Sequence, residues 1–153
     1  MADVQQQIQD LLDRDEIERL LIRYCNTNDA DDWAGMASCY VEEGREARTE
    51  GFSKIRDIAT TMMPIDHIDH EQHIVSNVEI TLDGDTASSF CAARVYIVGT
   101  LADEPHFLMR GITYKDKLVR TSEGWRISER AHHLEWMIES KPVEGAQVGE
   151  RIR

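Results

Sequence analysis

The chain has 153 residues, 41% of them hydrophobic and 30% charged, with a formal net charge of −12. That size and balance predict one globular domain with a core of its own, and the acidity excludes the basic surface that nucleic acid or an anionic membrane requires. A polar N-terminus (Ala2-Asp3-Val4-Gln5) and the lack of any run near the roughly 18 apolar residues that span a bilayer point to a cytoplasmic protein.

Residues 3 to about 27 have the spacing of a helix with one buried face: Val4, Ile8, Leu11, Leu12, then Ile17, Leu20, Leu21, Tyr24 and Cys25. Asp13-Arg14-Asp15-Glu16 is expected to break it and cap its second half. Tyr24 continues the apolar stripe, so its hydroxyl needs an internal partner or a cavity. Asn26 to Trp33 reads as a joint, with Asp31 capping a short helix from Asp32 to about Cys39 that turns Trp33, Met36 and Tyr40 inward. Asp29 is one carboxylate more than the caps require. Cys39 to Arg48 predicts a short polar strand or hairpin with Gly44 as turn or bulge.

Ser53 is expected to open another helix, with Ile55, Ile58, Ala59 and Met62 facing in, stopped before Pro64. Ile65 to Gln72 reads as a loop. Strands are then predicted over His73–Leu82, Thr86–Leu101, His106–Arg120 and Trp125 to about Met137, the first two joined by an Asp83-Gly84-Asp85 hairpin turn. The fold class is therefore α+β, with N-terminal helices packed on a strongly curved antiparallel sheet that encloses a cone-shaped, mostly apolar cavity. Residues 1–138 form the domain. The tail from 139 to 153, with Pro142, Gly145 and Gly149, is expected to be mobile or draped over a neighbour.

The chemistry concentrates in His70-Glu71-Gln72-His73, where a loop enters a strand. His73 at the rim of the sheet can act as a general base, since neutral imidazole accepts a proton near neutral pH. An aspartate on its other ring nitrogen would fix the tautomer and stabilise the imidazolium, and Asp29 is the candidate. A metal site through Asp66, His67, Asp69, His70 and His73 is disfavoured, because histidines three apart match neither the i, i+4 face of a helix nor one face of a strand. His67 and His70 are placed instead at the pocket mouth. Of the adjacent His132 and His133, only one can face in. Arg110, Ile112 and Tyr114 share a face by parity. If that face is the inner one, Arg110 needs an anion there, from Asp29, Glu129 or a substrate carboxylate; the alternative is an outer-face cross-strand pair. Cys25, Cys39 and Cys91 are odd in number and set among apolar residues, so they are expected to be reduced core cysteines. No glycine-rich phosphate loop or nucleophile elbow occurs, and no cofactor is expected.

Several stretches together carry a family resemblance: Ile17-Glu18-Arg19-Leu20-Leu21-Ile22-Arg23-Tyr24, Asp29, Asp32-Trp33, His73-Ile74-Val75-Ser76-Asn77, and Leu82-Asp83-Gly84-Asp85-Thr86-Ala87. Tyr114 to Thr121 and Gly124-Trp125-Arg126-Ile127 complete it. Over roughly residues 13 to 137 the chain resembles the SnoaL-like branch of the nuclear-transport-factor-2-like superfamily. Enzymes of that branch include scytalone dehydratase, bile-acid 7α-dehydratase and hexachlorocyclohexane dehydrochlorinase, which use an Asp-His pair for elimination without a cofactor. The resemblance puts that pair at Asp29, five residues after Tyr24, and His73, four before Asn77. It implies substrate-binding roles for Tyr24, Trp33, Tyr114 and Arg130, and Arg110 joins them through its shared parity with Tyr114. The function expected is a cofactor-independent lyase or isomerase acting on a small hydrophobic, ring-containing molecule. Dehydration, isomerisation and epoxide opening stay open. The alternative is a non-catalytic ligand carrier, or an accessory subunit like the small subunit of a dioxygenase. The strand Thr86–Leu101 is apolar on both faces, which predicts a homodimer or homotrimer built through the sheet.

Overall fold

The computed structural model describes residues 3–48, 51–54 and 67–141. Its backbone is one long helix, α1 (Val4–Asp29), a five-residue helix α2 (Trp33–Ala37), and six strands. These are β1 (Tyr40–Arg48), β2 (Gly51–Lys54), β3 (His67–Asp83), β4 (Thr86–Leu101), β5 (Glu104–Thr121) and β6 (Gly124–Ser140), in the spatial order β2-β1-β6-β5-β4-β3.

The break expected at Asp13 does not occur; α1 is continuous. Asp13 is no cap but a buried anion, taking two hydrogen bonds from the Arg120 guanidinium at 2.7 and 2.6 Å and one from Trp125 Nε1 at 3.2 Å. Arg120 also lies 4.6 Å over the Trp125 ring and bonds Asp85 at 3.0 Å, so one cluster ties the helix to the β3–β4 and β5–β6 turns. From Asp13 onward the predicted stripe is buried: Ile17, Leu20, Leu21, Tyr24 and Cys25. Val4, Ile8, Leu11 and Leu12 are exposed instead, because they precede the point where the helix meets the sheet. The cap of α2 is Asp32, whose carboxylate accepts from the Gly35 N–H at 2.8 Å; Asp31 sits at φ 55°.

Four strand expectations need correction. Gly51–Lys54 is not a helix start but β2, hydrogen-bonded to β1. The remainder of the helix expected from Ser53 lies outside the described residues. His67 to Gln72, read as a loop, already belongs to β3, which is 17 residues long. Ala102 and Asp103, both at positive φ, close a tight β4–β5 turn in place of the longer loop through Pro105. β6 continues to Ser140, so Glu139 and Ser140 pair with Leu108 and Phe107 rather than opening the tail. Residues 142–153 lie outside the described residues.

The sheet is mixed, not antiparallel. β3 to β6 are linked by hairpins and must alternate in direction, but β1 lies beside β6 in parallel, Glu46 opposite Arg130. No turn joins β1 to β6, so no local signal fixes their relative direction. Gly44 is buried where the β1–β6 register slips, which favours its reading as a bulge. Along β4 the alternation is clean: Ala87, Ser89, Cys91, Ala93, Val95 and Ile97 are buried, with Phe90, Ala92, Arg94, Tyr96 and Val98 on the other side. The inner face, with Leu108, Ile112, Tyr114, Leu118 and Ile127 from β5 and β6, packs under the second half of α1. This is the cone-shaped α+β fold, one helix layer against a curled sheet.

Candidate functional site

β3 is the edge of the sheet, so alternate N–H groups along it have no strand to bond. That of His73 donates instead to the carboxylate of Asp29, at 3.0 and 2.9 Å from its two oxygens. The His73 ring completes the clamp, with Nδ1 2.6 Å from Asp29 Oδ1. A carboxylate accepts here, so Nδ1 carries the hydrogen and Nε2 is the ring nitrogen that Asp29 does not hold. Both side chains are largely buried, at 9% and 21% exposed.

Asp29 is the last residue of α1, at the negative end of the helix dipole, and the last turn has no basic residue. Such placement costs roughly 0.3–1 kcal/mol and is unusual for a structural carboxylate. Here the backbone and ring donors of His73 offset it.

His73 stands in one cross-strand row with Val95, Arg110 and Met137. Val95 is fully buried and Arg110 half-buried. Arg110 is thus on the inner face, two strands or roughly 10 Å from His73 along the sheet. The neighbouring rows add Ala93 and Ile112 on one side, Ile97 and Leu108 on the other, all apolar and buried. Asp29 and His73 are therefore brought together over an apolar floor.

The other expected substrate residues divide. Tyr24 and Tyr114 are buried with ring centroids 5.9 Å apart, edge to face. Arg130 does not present a guanidinium to an open space. It is 1% exposed, hydrogen-bonded to Asp116 through Nε at 2.7 Å and Nη2 at 2.8 Å, and set 4.1 and 4.2 Å over the Tyr24 and Tyr114 rings. Burial pushes its charged form down, but the Asp116 carboxylate outweighs this and holds the guanidinium's pKa well above its usual value. Trp33 opens α2 and is 46% exposed, not turned inward as expected. His132 faces in, its ring 5.3 Å from Tyr114, whereas His133 is exposed.

Two site residues escaped the sequence reading. Asp116 shares parity with Arg110 and Tyr114, a usable signal. Glu71 shares a face with His73, which the loop expected there concealed. Cys25, Cys39 and Cys91 are buried free thiols, and burial pushes Cys25 up to about 12 and Cys91 to about 11, which keeps both protonated and poor nucleophiles. Among the described residues no three His, Cys, Asp or Glu side chains converge as metal ligands, and no helix is long and apolar enough to cross a membrane. A groove of about 560 Å³ on the outer sheet face, between Glu79, Phe90, Lys115 and Glu129, lies across the sheet from the pair.

A helix packed on a curled sheet defines a class of small α+β proteins, and the comparisons name it. Residues 9–131 match the SnoaL-like domain, and the chain belongs to that family. An uncharacterised protein of Mycobacterium tuberculosis, Rv2910c, is 28% identical over 131 residues, covering 80% of this chain and 86% of that protein. A type 2 hexachlorocyclohexane dehydrochlorinase (LinA) superposes with a TM-score of 0.76 at 16% identity, over 94% of this chain and 99% of that one. A protein described as a putative scytalone dehydratase, from Novosphingobium aromaticivorans, gives 0.70 at 18%, over 92% and 99%.

Proposed function

We propose that the protein is a cofactor-independent lyase or isomerase that removes a proton from carbon in a small, hydrophobic, ring-containing substrate. His73 is the base, acting through Nε2. Asp29 is its positioning partner: the 2.6 Å contact to Nδ1 sets the tautomer and stabilises the imidazolium that proton transfer creates. The apolar floor of Val95, Ile97 and Ile112 suits a ring and strengthens electrostatic interactions above it. Arg110 is placed to meet an oxygen or leaving group.

The single observation that supports this most is the double clamp on Asp29. A carboxylate at the wrong end of a helix, bonded to both the backbone and the ring of one histidine, serves orientation better than stability. The relatives described as a dehydrochlorinase and a putative scytalone dehydratase lend support of the same kind.

The test is His73→Ala on hydroxylated or halogenated ring compounds. A base used mainly in the transition state predicts a fall in kcat of about 10²–10⁴-fold with ligand affinity nearly kept. Turnover is expected to survive chelators. A carrier predicts a change in affinity or no change at all, and full activity in the variant rejects the reading.

A further inference from the structure

α1 carries two apolar stripes, and they point in opposite directions. Residues 6, 10, 13, 17, 20 and 24 follow one another at alternating steps of four and three, which keeps them on one side of a helix. From Asp13 onward that side is buried against the sheet, through Ile17, Leu20 and Tyr24. Ahead of Asp13 the same side is polar. Gln6 donates to Asp10 at 2.8 Å, and Gln9 beside them donates to Asp13 at 3.0 Å. Val4, Ile8 and Leu11 also stand four and three apart, but about half a turn round the helix from that line, with Leu12 at their flank. The apolar side chains of the first half therefore face away from the side that the sheet covers.

Val4, Ile8, Leu11 and Leu12 are 65%, 53%, 68% and 57% exposed. Together they make a contiguous apolar patch of roughly 400 Å², large enough to mark an interaction site. Asp3 bounds it at one end, and Asp15 with Glu18 at the other. A helix that lies on a membrane sets Lys and Arg on its polar face, and residues 3–13 hold neither.

We propose that this patch joins two copies of the chain, α1 against α1, antiparallel about a two-fold axis at Ile8. In that register Ile8 meets its own copy, and Val4 meets Leu12 of the second copy. The charges agree with it. Asp3, whose side chain makes no cap bond, comes within a turn of Arg14 of the second copy, and Arg14 is held in place by a bond from Nη1 to the Ile80 carbonyl. A parallel pair would set Asp3 against Asp3 and Arg14 against Arg14. Two such patches bury roughly 800 Å² of apolar surface, and their polar flanks bring the contact to the lower end of the ~1,200–2,000 Å² of a stable interface. Ile8 lies roughly 30 Å along the helix from Asp29, so the contact stands apart from the function proposed above.

The experiment uses the full chain. Light scattering is expected to show the particle mass doubling between about 1 and 100 µM. Ile8→Asp/Leu11→Asp, which sets like charges against each other, is expected to raise the concentration of half-association at least about tenfold. Both positions are exposed, so circular dichroism and the thermal midpoint of the unassociated chain should match wild type. Cysteines then read the register. Ile8→Cys is expected to cross-link to its own copy under mild oxidation, as is Val4→Cys combined with Leu12→Cys, whereas Val4→Cys alone is not. The native Cys25, Cys39 and Cys91 are buried and do not compete. A wild-type mass that does not double, or a double variant that assembles as wild type does through some other face, overturns the proposal. So does a Val4→Cys chain that cross-links as well as Ile8→Cys, or an Ile8→Cys chain that does not cross-link.

Discussion

Two aspartates hold two nitrogen bases on the inner surface of this fold, and the pairs are built in opposite ways. Asp116 and Arg130 are 0% and 1% exposed, joined by two parallel hydrogen bonds, with Ser89 donating to Asp116 as well at 3.1 Å. The guanidinium cannot give up its proton, and the tyrosine rings cover its face. Asp29 and His73 are less sealed, and the aspartate occupies only one of two ring nitrogens. The first pair fixes a packing arrangement. The second fixes an orientation and leaves one ring nitrogen that the aspartate does not hold, on the inner face above Val95, which is what proton chemistry needs. A carboxylate–base contact by itself therefore says little; what the second nitrogen faces decides its use.

Exchanging each aspartate for its amide separates the two pairs. Asp29→Asn is expected to lower kcat about 10²–10⁴-fold, because an amide neither stabilises an imidazolium nor reliably holds its tautomer. Its thermal midpoint should stay near wild type. Asp116→Asn should do the reverse to the midpoint, destabilising the fold by about 3–5 kcal/mol by leaving the Arg130 charge buried without its partner. Denaturant unfolding of both variants checks this, and equal stability losses would remove the distinction.

A third ionic cluster sharpens the comparison at low pH. The hydrogen bonds from Arg120 are the main cause that lowers Asp13 from 3.8 to about 2, against the opposing effect of burial. A folded value below the unfolded one means stabilisation that is complete above pH 4 and lost as pH falls from about 4 towards 2. The loss should be about 2 kcal/mol and should disappear in Asp13→Asn. The smallest effect belongs to the exposed helical pair Arg19–Asp15, 2.7 Å apart. Arg19→Ala should leave the denaturant midpoint within error of wild type, at low salt and high salt alike.

Much of this was legible in the residues. Periodicity located the second half of α1 and strands β4 to β6, and the Asp83-Gly84 turn fixed a hairpin that the structure contains. Asp29 and His73 were singled out as an aspartate beyond the caps and a histidine at a strand entry, helped by family resemblance. The failures have physical causes. A helix stripe shows which face is apolar but not where packing begins, so Val4 to Leu12 were misjudged. Parallel pairing of β1 with β6 depends on tertiary contact alone. Glu71 was missed because polar, charged residues such as His67 to Gln72 have low strand propensity, and edge pairing overrode it. Arg130 was assigned to substrate by the resemblance; its pairing with Asp116 depends on the register of β5 and β6, which composition does not carry.

The most direct test of the central claim is chemical rescue of the base. His73→Gly leaves a vacancy beside Asp29, and its residual turnover should rise with added imidazole, saturably, while Asp29→Asn/His73→Gly gains far less from the same imidazole. That result places the proton transfer on the imidazole that Asp29 orients. Undiminished turnover in His73→Gly without imidazole, or equal rescue with and without the Asp29 carboxylate, would contradict it.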